Sequence, residues 1–223
     1  MLVRKGVLGA AMAFACSTAT AQSPDVGAVA GPEIAIGVFE HGANFHPLGG
    51  ELIFDLPELP DGEIYEGSEE DGTVDIQLLY RSRPLRFALR PRLVAKAQIN
   101  TAGRTSFATV GAEWRQHVLR ERIYGQIGIG LTIHDGYRFT PNPFEPGLAT
   151  GEARRRFAIY QRRTSFGSQL LFNPNASIGV RLNRRWAVEA TWEHYSHGAL
   201  FSKQNPGIDN VGLRLVHMLG ARR

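Results

Sequence analysis

From Glu33 to Gly220 the chain falls into short segments in which apolar and polar residues alternate with a period of two. Turn-rich stretches separate them, and no window of similar length carries the i, i+3, i+4, i+7 apolar stripe of a packed helix. The mature chain therefore reads as all-β. The alternation predicts strands at 33–41, 72–81, 86–97, 105–118, 122–134, 165–182, 185–197 and 209–219. Eight antiparallel strands are enough to close a small up-and-down barrel.

Successive loops of such a barrel lie at opposite ends, so their lengths carry information. The connections near 82–85, 119–121 and 183–184 are short, those near 42–71, 135–164 and 198–208 are long, and 98–104 breaks the pattern. Short turns at one end and long loops at the other are the habit of barrels that cross a bilayer. In the fifth strand Ile123, Ile127, Ile129, Leu131 and Ile133 share one parity, against Arg122, Tyr124, Gln126, Thr132 and His134 on the other. In the fourth, Glu113, Arg115 and His117 oppose Val110, Trp114 and Val118. Alternation alone also suits a soluble lipocalin-type carrier or a β-sandwich, and these are the competing folds.

The N-terminus tips the choice. Arg4 and Lys5 precede an apolar, small-residue run at 7–16 and an Ala19-Thr20-Ala21 cleavage pattern, so residues 1–21 read as a cleaved secretory signal and 22–223 as one outer-membrane β-barrel domain. The expected location is the outer membrane of a Gram-negative bacterium, the expected fold an eight-stranded antiparallel transmembrane barrel. Cleavage would remove Cys16, the only cysteine, leaving neither disulfide nor thiol nucleophile. No apolar run of about 18 residues follows, which excludes a bundle of transmembrane helices. With 25 basic against 21 acidic residues the net charge is +4, and the bases are spread through strands, so nucleic acid is not an expected partner. Of the long loops, 42–71 gathers Glu63, Glu66, Glu69, Glu70 and Asp71, and 135–164 carries Arg154, Arg155, Arg156, Arg162 and Arg163. These are either solvated loop charges or, for the arginines, bidentate donors to headgroup phosphates.

The last hairpin concentrates the chemistry. His194 and Ser196 stand two apart on a strand, so both side chains leave one face about 7 Å apart, within reach of a nucleophile–base hydrogen bond. If the two strands pair antiparallel about the middle of the connecting loop, Asp209 faces His194, where it would orient the imidazole. By parity His194 and Ser196 share the face of Trp186, Val188, Ala190 and Trp192, and Asp209 that of Val211, Leu213 and Leu215. All three then sit on the lipid-facing rim. Polar groups are costly there, so they point to function on a lipid of the outer leaflet. The alternative is an ordinary rim in an aromatic belt formed with Trp192 and Tyr195. His41 and His46 near Glu40 match no strong zinc spacing, so no metal site is expected.

The segment 192–209 resembles the C-terminal hairpin of the PagL-type lipid A 3-O-deacylases, outer-membrane esterases with an eight-stranded barrel. His194-Tyr195-Ser196, Asn205, and Gly207-Ile208 followed by an acid carry the likeness, with Gly128 and Gly130 of the fifth strand extending it. The resemblance implies Ser196 as nucleophile, His194 as base and Asp209 as the acid, a position where the family usually has Glu. It also implies Asn205, with the Gly198 backbone N–H, as oxyanion donors. The family commonly has Asn after the serine, and here that residue is His197. The activity implied is cofactor-free hydrolysis of the 3-position ester of lipid A, releasing a 3-hydroxy fatty acid. The implied partners are lipopolysaccharide and the outer membrane, in a monomer or a homodimer. A non-catalytic structural or adhesive barrel is the competing function.

Overall fold

Period-two alternation becomes a wall when each strand turns its polar face to one side and its aliphatic face to the other. The structure is a computed structural model that describes residues 31–47, 70–86, 89–119 and 121–220. Its strands are β1 (Glu33–His41), β2 (Thr73–Arg81), β3 (Arg92–Asn100), β4 (Phe107–Val118), β5 (Ile123–His134), β6 (Leu170–Phe172), β7 (Asn175–Arg181), β8 (Trp186–Tyr195) and β9 (Ile208–Met218). All pair antiparallel, and β1 pairs with both β2 and β9, which closes the sheet. β6 and β7 both pair with β5 and occupy one position in the wall, so the barrel has the eight staves expected. Asn173 and Pro174 part them, because proline cannot donate to the ladder. Reciprocal bonds between Asn173 and Gly130, N–H to O at 2.9 and 3.0 Å, carry the pairing across the break.

The barrel is charged inside. Arg81 meets Glu33 and Glu113 at 2.6 Å each and Glu189 at 3.2 Å, while Arg92 and Arg115 also reach Glu33. Above them Lys96 and Arg214 pair with Glu193. All of these charges but the partly buried Arg115 are buried, and each is tolerable because it is matched by an opposite charge and hydrogen-bonded. Outside, Ile36, Ile127, Ile178 and Leu213 are 51 to 66% exposed, part of an aliphatic surface running round the wall. This is the reverse of a water-soluble carrier, and a closed barrel of this build is an outer-membrane barrel. Among the described residues no helix is long and apolar enough to cross a membrane.

Three details differ from the sequence reading. The third strand runs Arg92–Asn100, not 86–97. Leu89 and Arg90 adopt positive φ before Pro91, which has no N–H to give, so the ladder takes up only from Arg92. The segment 165–182 is strand only from Leu170, and is broken at Pro174. The third outer loop contains α1 (Thr150–Tyr160), which buries no residue and so leaves no apolar stripe to read. Glu152 holds it locally through Arg155 and Arg156, at i,i+3 and i,i+4. The 1–21 signal and Glu63, Glu66 and Glu69 fall outside the described residues.

Connections 42–72, 101–106, 135–169 and 196–207 lie at one end of the barrel; 82–91, 119–122 and 182–185 lie at the other. Within the long-loop end Glu70 ties the loops together. It accepts from the Thr105 backbone N–H at 2.7 Å, the Thr164 N–H at 3.1 Å and Arg163 Nε at 2.9 Å, and meets His41 Nε2 at 3.2 Å. Burial alone would raise this carboxyl, but the hydrogen bonds from His41 and Thr105 and the charge of Arg163 hold it down at about 2.

Candidate active site

The site begins with the residues that fix parity in β8. Thr191, Glu193 and Tyr195 point into the lumen and are buried. Tyr195 stacks on Phe107, ring centroids 4.1 Å apart and 7° from parallel, and donates its hydroxyl to Glu193 at 2.5 Å. A register slip would bring these groups to the lipid face, so Trp192, His194 and Ser196 are held outward. Ser196 is fixed from behind by a bridge to Phe172, with N–H to O distances of 2.7 and 3.1 Å in the two directions.

Across the hairpin His194 lies directly opposite Asp209, as the pairing argument predicts. Its Nδ1 is 2.9 Å from Asp209 Oδ1 and its Nε2 is 2.9 Å from Ser196 Oγ. The ionised carboxylate can only accept, so Nδ1 carries the proton and Nε2 faces the serine hydroxyl as acceptor. Trp192 Nε1 donates to the same Asp209 oxygen at 2.9 Å. The His194 and Asp209 side chains are 19 and 17% exposed: dry enough to strengthen the contact, open enough for a substrate.

The loop beyond is pinned by His197, whose ring is buried in the opposite direction to Ser196. Its Nδ1 accepts from the Phe201 N–H at 3.4 Å, so Nε2 bears the hydrogen donated to the Gln204 carbonyl at 2.8 Å. His197 is a loop staple, remote in role from the His194 relay. Asn205 Oδ1 accepts the His197 backbone N–H at 2.8 Å, which fixes the carboxamide and leaves Nδ2 as its donor end. Gly198 and Ala199 follow with φ of 58° and 56°, turning the chain sharply just past the serine. Gly207 has φ 69°, and a Cβ there would come within 2.9 Å of His194 Cε1 and 3.4 Å of Ser196 Cβ. Only glycine lets the backbone approach the imidazole this closely.

Of the arginines, Arg154 is exposed on α1, whereas Arg155 and Arg156 are held by Glu152, and Arg156 also by Glu145 at 2.5 Å. Loop three packs on loop four at Gly167, where a Cβ would meet the Gln204 carbonyl and Ser202 Oγ. His41 and His46 do not meet as a pair. His41 points inward to Asp75 at 2.8 Å, while the His46 ring packs edge-on against both Trp192 and His194, centroids 5.3 Å away in each case. Sequence reasoning placed Trp192 only in an aromatic belt; its shared parity with His194 was the signal for more. His46 carried no such signal, since a loop from the other edge of β9 delivers it.

A family model described as lipid A 3-O-deacylase (PagL) matches residues 93–218, more than half of the chain. The chain belongs to the PagL family. The match runs from β3 to the end of β9 and so takes in the whole His194–Asp209 hairpin. Among solved structures, the outer membrane enzyme PagL is 13% identical with a TM-score of 0.51, covering 82% of this chain and 97% of its own. At that identity the likeness is one of fold, and it agrees with the closed barrel. A de novo designed transmembrane β-barrel aligns at 8% identity and TM-score 0.43, covering 84% of this chain and 95% of its own. Neisserial surface protein A aligns at 9% and 0.42, covering 85% and 97%. No curated protein matches the chain. PagL membership, with the barrel itself, makes this an outer-membrane protein of the lipid A deacylase type.

Proposed function

We propose that the protein hydrolyses the ester-linked acyl chain at the 3-position of lipid A, with Ser196 as nucleophile, His194 as general base and Asp209 as the acid that orients it. The observation that carries this reading is the His194 imidazole bridging Asp209 and Ser196 at 2.9 Å on each side, on the lipid-facing rim at the long-loop end. Isolated polar groups are expensive in that position, and a relay that ends on a hydroxyl is the arrangement acyl transfer needs.

In the forward half, Ser196 Oγ adds to the ester carbonyl as His194 Nε2 takes its proton. Asp209 steadies the resulting imidazolium through Nδ1. Asn205 Nδ2 and the Gly198 N–H supply the oxyanion donors in this account, the former fixed by the bond from His197. The tetrahedral adduct collapses, the sugar oxygen leaves with the proton from His194, and the acyl chain stays on Ser196. Water then attacks the acyl-enzyme, His194 accepts its proton and returns it to Ser196, and a 3-hydroxy fatty acid departs. No cofactor enters this scheme. Every member of the relay comes from one chain, so a monomer suffices.

The bilayer holds the acyl chains against the barrel, so much of the positioning comes from the membrane. On the same end of the barrel, Arg154, Arg155 and Arg156 offer guanidinium forks to lipid A phosphates, two of them steadied by Glu152. Residues 1–21 direct export, leaving 22–223 as the mature barrel. The test is mass spectrometry of lipid A from Gram-negative cells expressing the wild type or Ser196→Ala, with both confirmed in the outer membrane. Loss of one 3-hydroxyacyl chain in the wild type alone is expected; unchanged lipid A in both would overturn the reading.

A further inference from the structure

The His194–Asp209 pair has a third polar neighbour that the proposed reaction does not use. Donor atoms of His46, His194 and Asp209 all lie within 4.8 Å of one another, on three different elements: the first outer loop, β8 and β9. The placement of His46 is built into the fold. Ala43 N–H donates to the Asp209 carbonyl at 2.7 Å and Gly42 N–H to Asn210 Oδ1 at 2.9 Å, so the first loop leaves β1 already registered on β9. Three residues on, the His46 ring stands edge-on to the faces of His194 and Trp192, at 88° and 85°.

Two imidazoles and a carboxylate are a donor set suited to zinc, at metal–ligand distances of about 2.0–2.2 Å. A tetrahedral ion at those distances needs ligand atoms roughly 3.4 Å apart, so closure asks the loop residue to move inward by about an ångström. Ligating carboxylates are steadied by an outer hydrogen bond, and the Trp192 indole N–H already supplies one to Asp209. The open fourth position would take water.

We propose that His46, His194 and Asp209 form a zinc-binding site whose occupancy switches off the Ser196 relay. The inhibitory half of this proposal rests on the functional reading above; the binding half does not. Zinc on His194 Nδ1 replaces the hydrogen bond to Asp209. A neutral imidazole bound through Nδ1 keeps its proton on Nε2, so it can only donate to Ser196 Oγ and cannot take the serine proton. The same atoms therefore serve catalysis or the metal, never both. Magnesium and calcium, which prefer oxygen ligands, should not compete.

The experiment has two arms on purified, detergent-folded protein. In the first, zinc chloride is titrated calorimetrically into Ser196→Ala, which keeps all three ligands and turns nothing over. One ion per chain is expected, with affinity about tenfold or more weaker when His46→Gln is added, and no comparable binding of magnesium. In the second, deacylation is followed against zinc concentration. Wild type should lose activity and regain it on adding a chelator, while His46→Gln, with each protein's rate taken relative to its own zinc-free rate, should need about tenfold more zinc. Binding indifferent to His46, or zinc that raises the rate, would overturn the proposal. If zinc binds through His46 but no variant deacylates lipid A, the site stands and the functional reading fails. If deacylation proceeds and His46→Gln responds to zinc as wild type does, the site fails and the reading stands.

Discussion

Trp192 donates its indole N–H to Asp209 Oδ1 at 2.9 Å, the same oxygen that His194 Nδ1 contacts. Two donors converging on one carboxylate oxygen leave the short Asp side chain little freedom to turn away from the imidazole. In the proposed reaction Trp192 is thus a positioning residue. Trp192→Phe keeps the ring and removes the donor, and should lower kcat about tenfold, equivalent to roughly 1.4 kcal/mol, with KM for lipid A unchanged. Steady-state kinetics on purified protein checks this; equal kcat values would remove Trp192 from the account.

In the proposed reaction the relay works as a unit, so its members should not add. Ser196→Ala and His194→Gln should each cost about a thousandfold or more in kcat, and the double variant no more than the worse single one. Asp209→Asn presents an amide N–H where an acceptor is needed, favours the wrong His194 tautomer, and belongs in the same range. Folded barrel is verified for each by its heat-dependent migration on gels, so that lost activity is not lost structure.

Gly207→Ala tests the closeness of the second strand. The added methyl would meet His194 Cε1 at 2.9 Å, in a backbone held at φ 69°. A loss of about 1 kcal/mol in stability follows from the positive φ, but the larger effect falls on activity, because the imidazole must move off the line to Ser196. The expected result is a severalfold greater loss in kcat than the stability change alone would produce, read by comparing kinetics with thermal unfolding.

Much of this was legible beforehand, and for a reason that can be named. Parity is a strict property of strands, so Glu193 inward forces His194 outward, and the hairpin midpoint alone set Asp209 opposite His194. The third strand was misplaced because Arg86 to Arg90 alternates as a strand would, yet Leu89 and Arg90 adopt positive φ and Pro91 has no N–H to give the ladder. The strand instead extends to Asn100, whose side chain caps the turn by accepting the N–H groups of Ala102 and Arg104 at 2.9 Å. α1 was missed because a helix that buries nothing has no periodic signature. His46 and the Glu70 cluster were illegible because their partners come together only when loops close over the barrel end.

Glu70 gives a prediction in pH. Its folded carboxyl sits at about 2 against an ordinary 4.5, so the ionised form stabilises the folded state above about pH 4.5. That contribution, on the order of 3 kcal/mol, is lost as pH falls through the folded value. Glu70→Gln should therefore lower Tm at neutral pH, and the gap between wild type and variant should close between about pH 4.5 and 2. Glu152, also held at about 2 by Arg155 and Arg156, is present in both proteins and drops out of the difference. A gap independent of pH would mean that Glu70 contributes by shape alone.

If His194 activates Ser196, the serine is the most reactive hydroxyl of the barrel. The most direct measurement is labelling of the purified barrel with a lipophilic fluorophosphonate, followed by peptide mass spectrometry and a deacylation assay on the same sample. One adduct is expected, on Ser196, formed in step with loss of activity, absent in Ser196→Ala and greatly slowed in His194→Gln. Full deacylation by a protein labelled at Ser196, or an adduct on another residue that tracks the loss of activity, would contradict that activation.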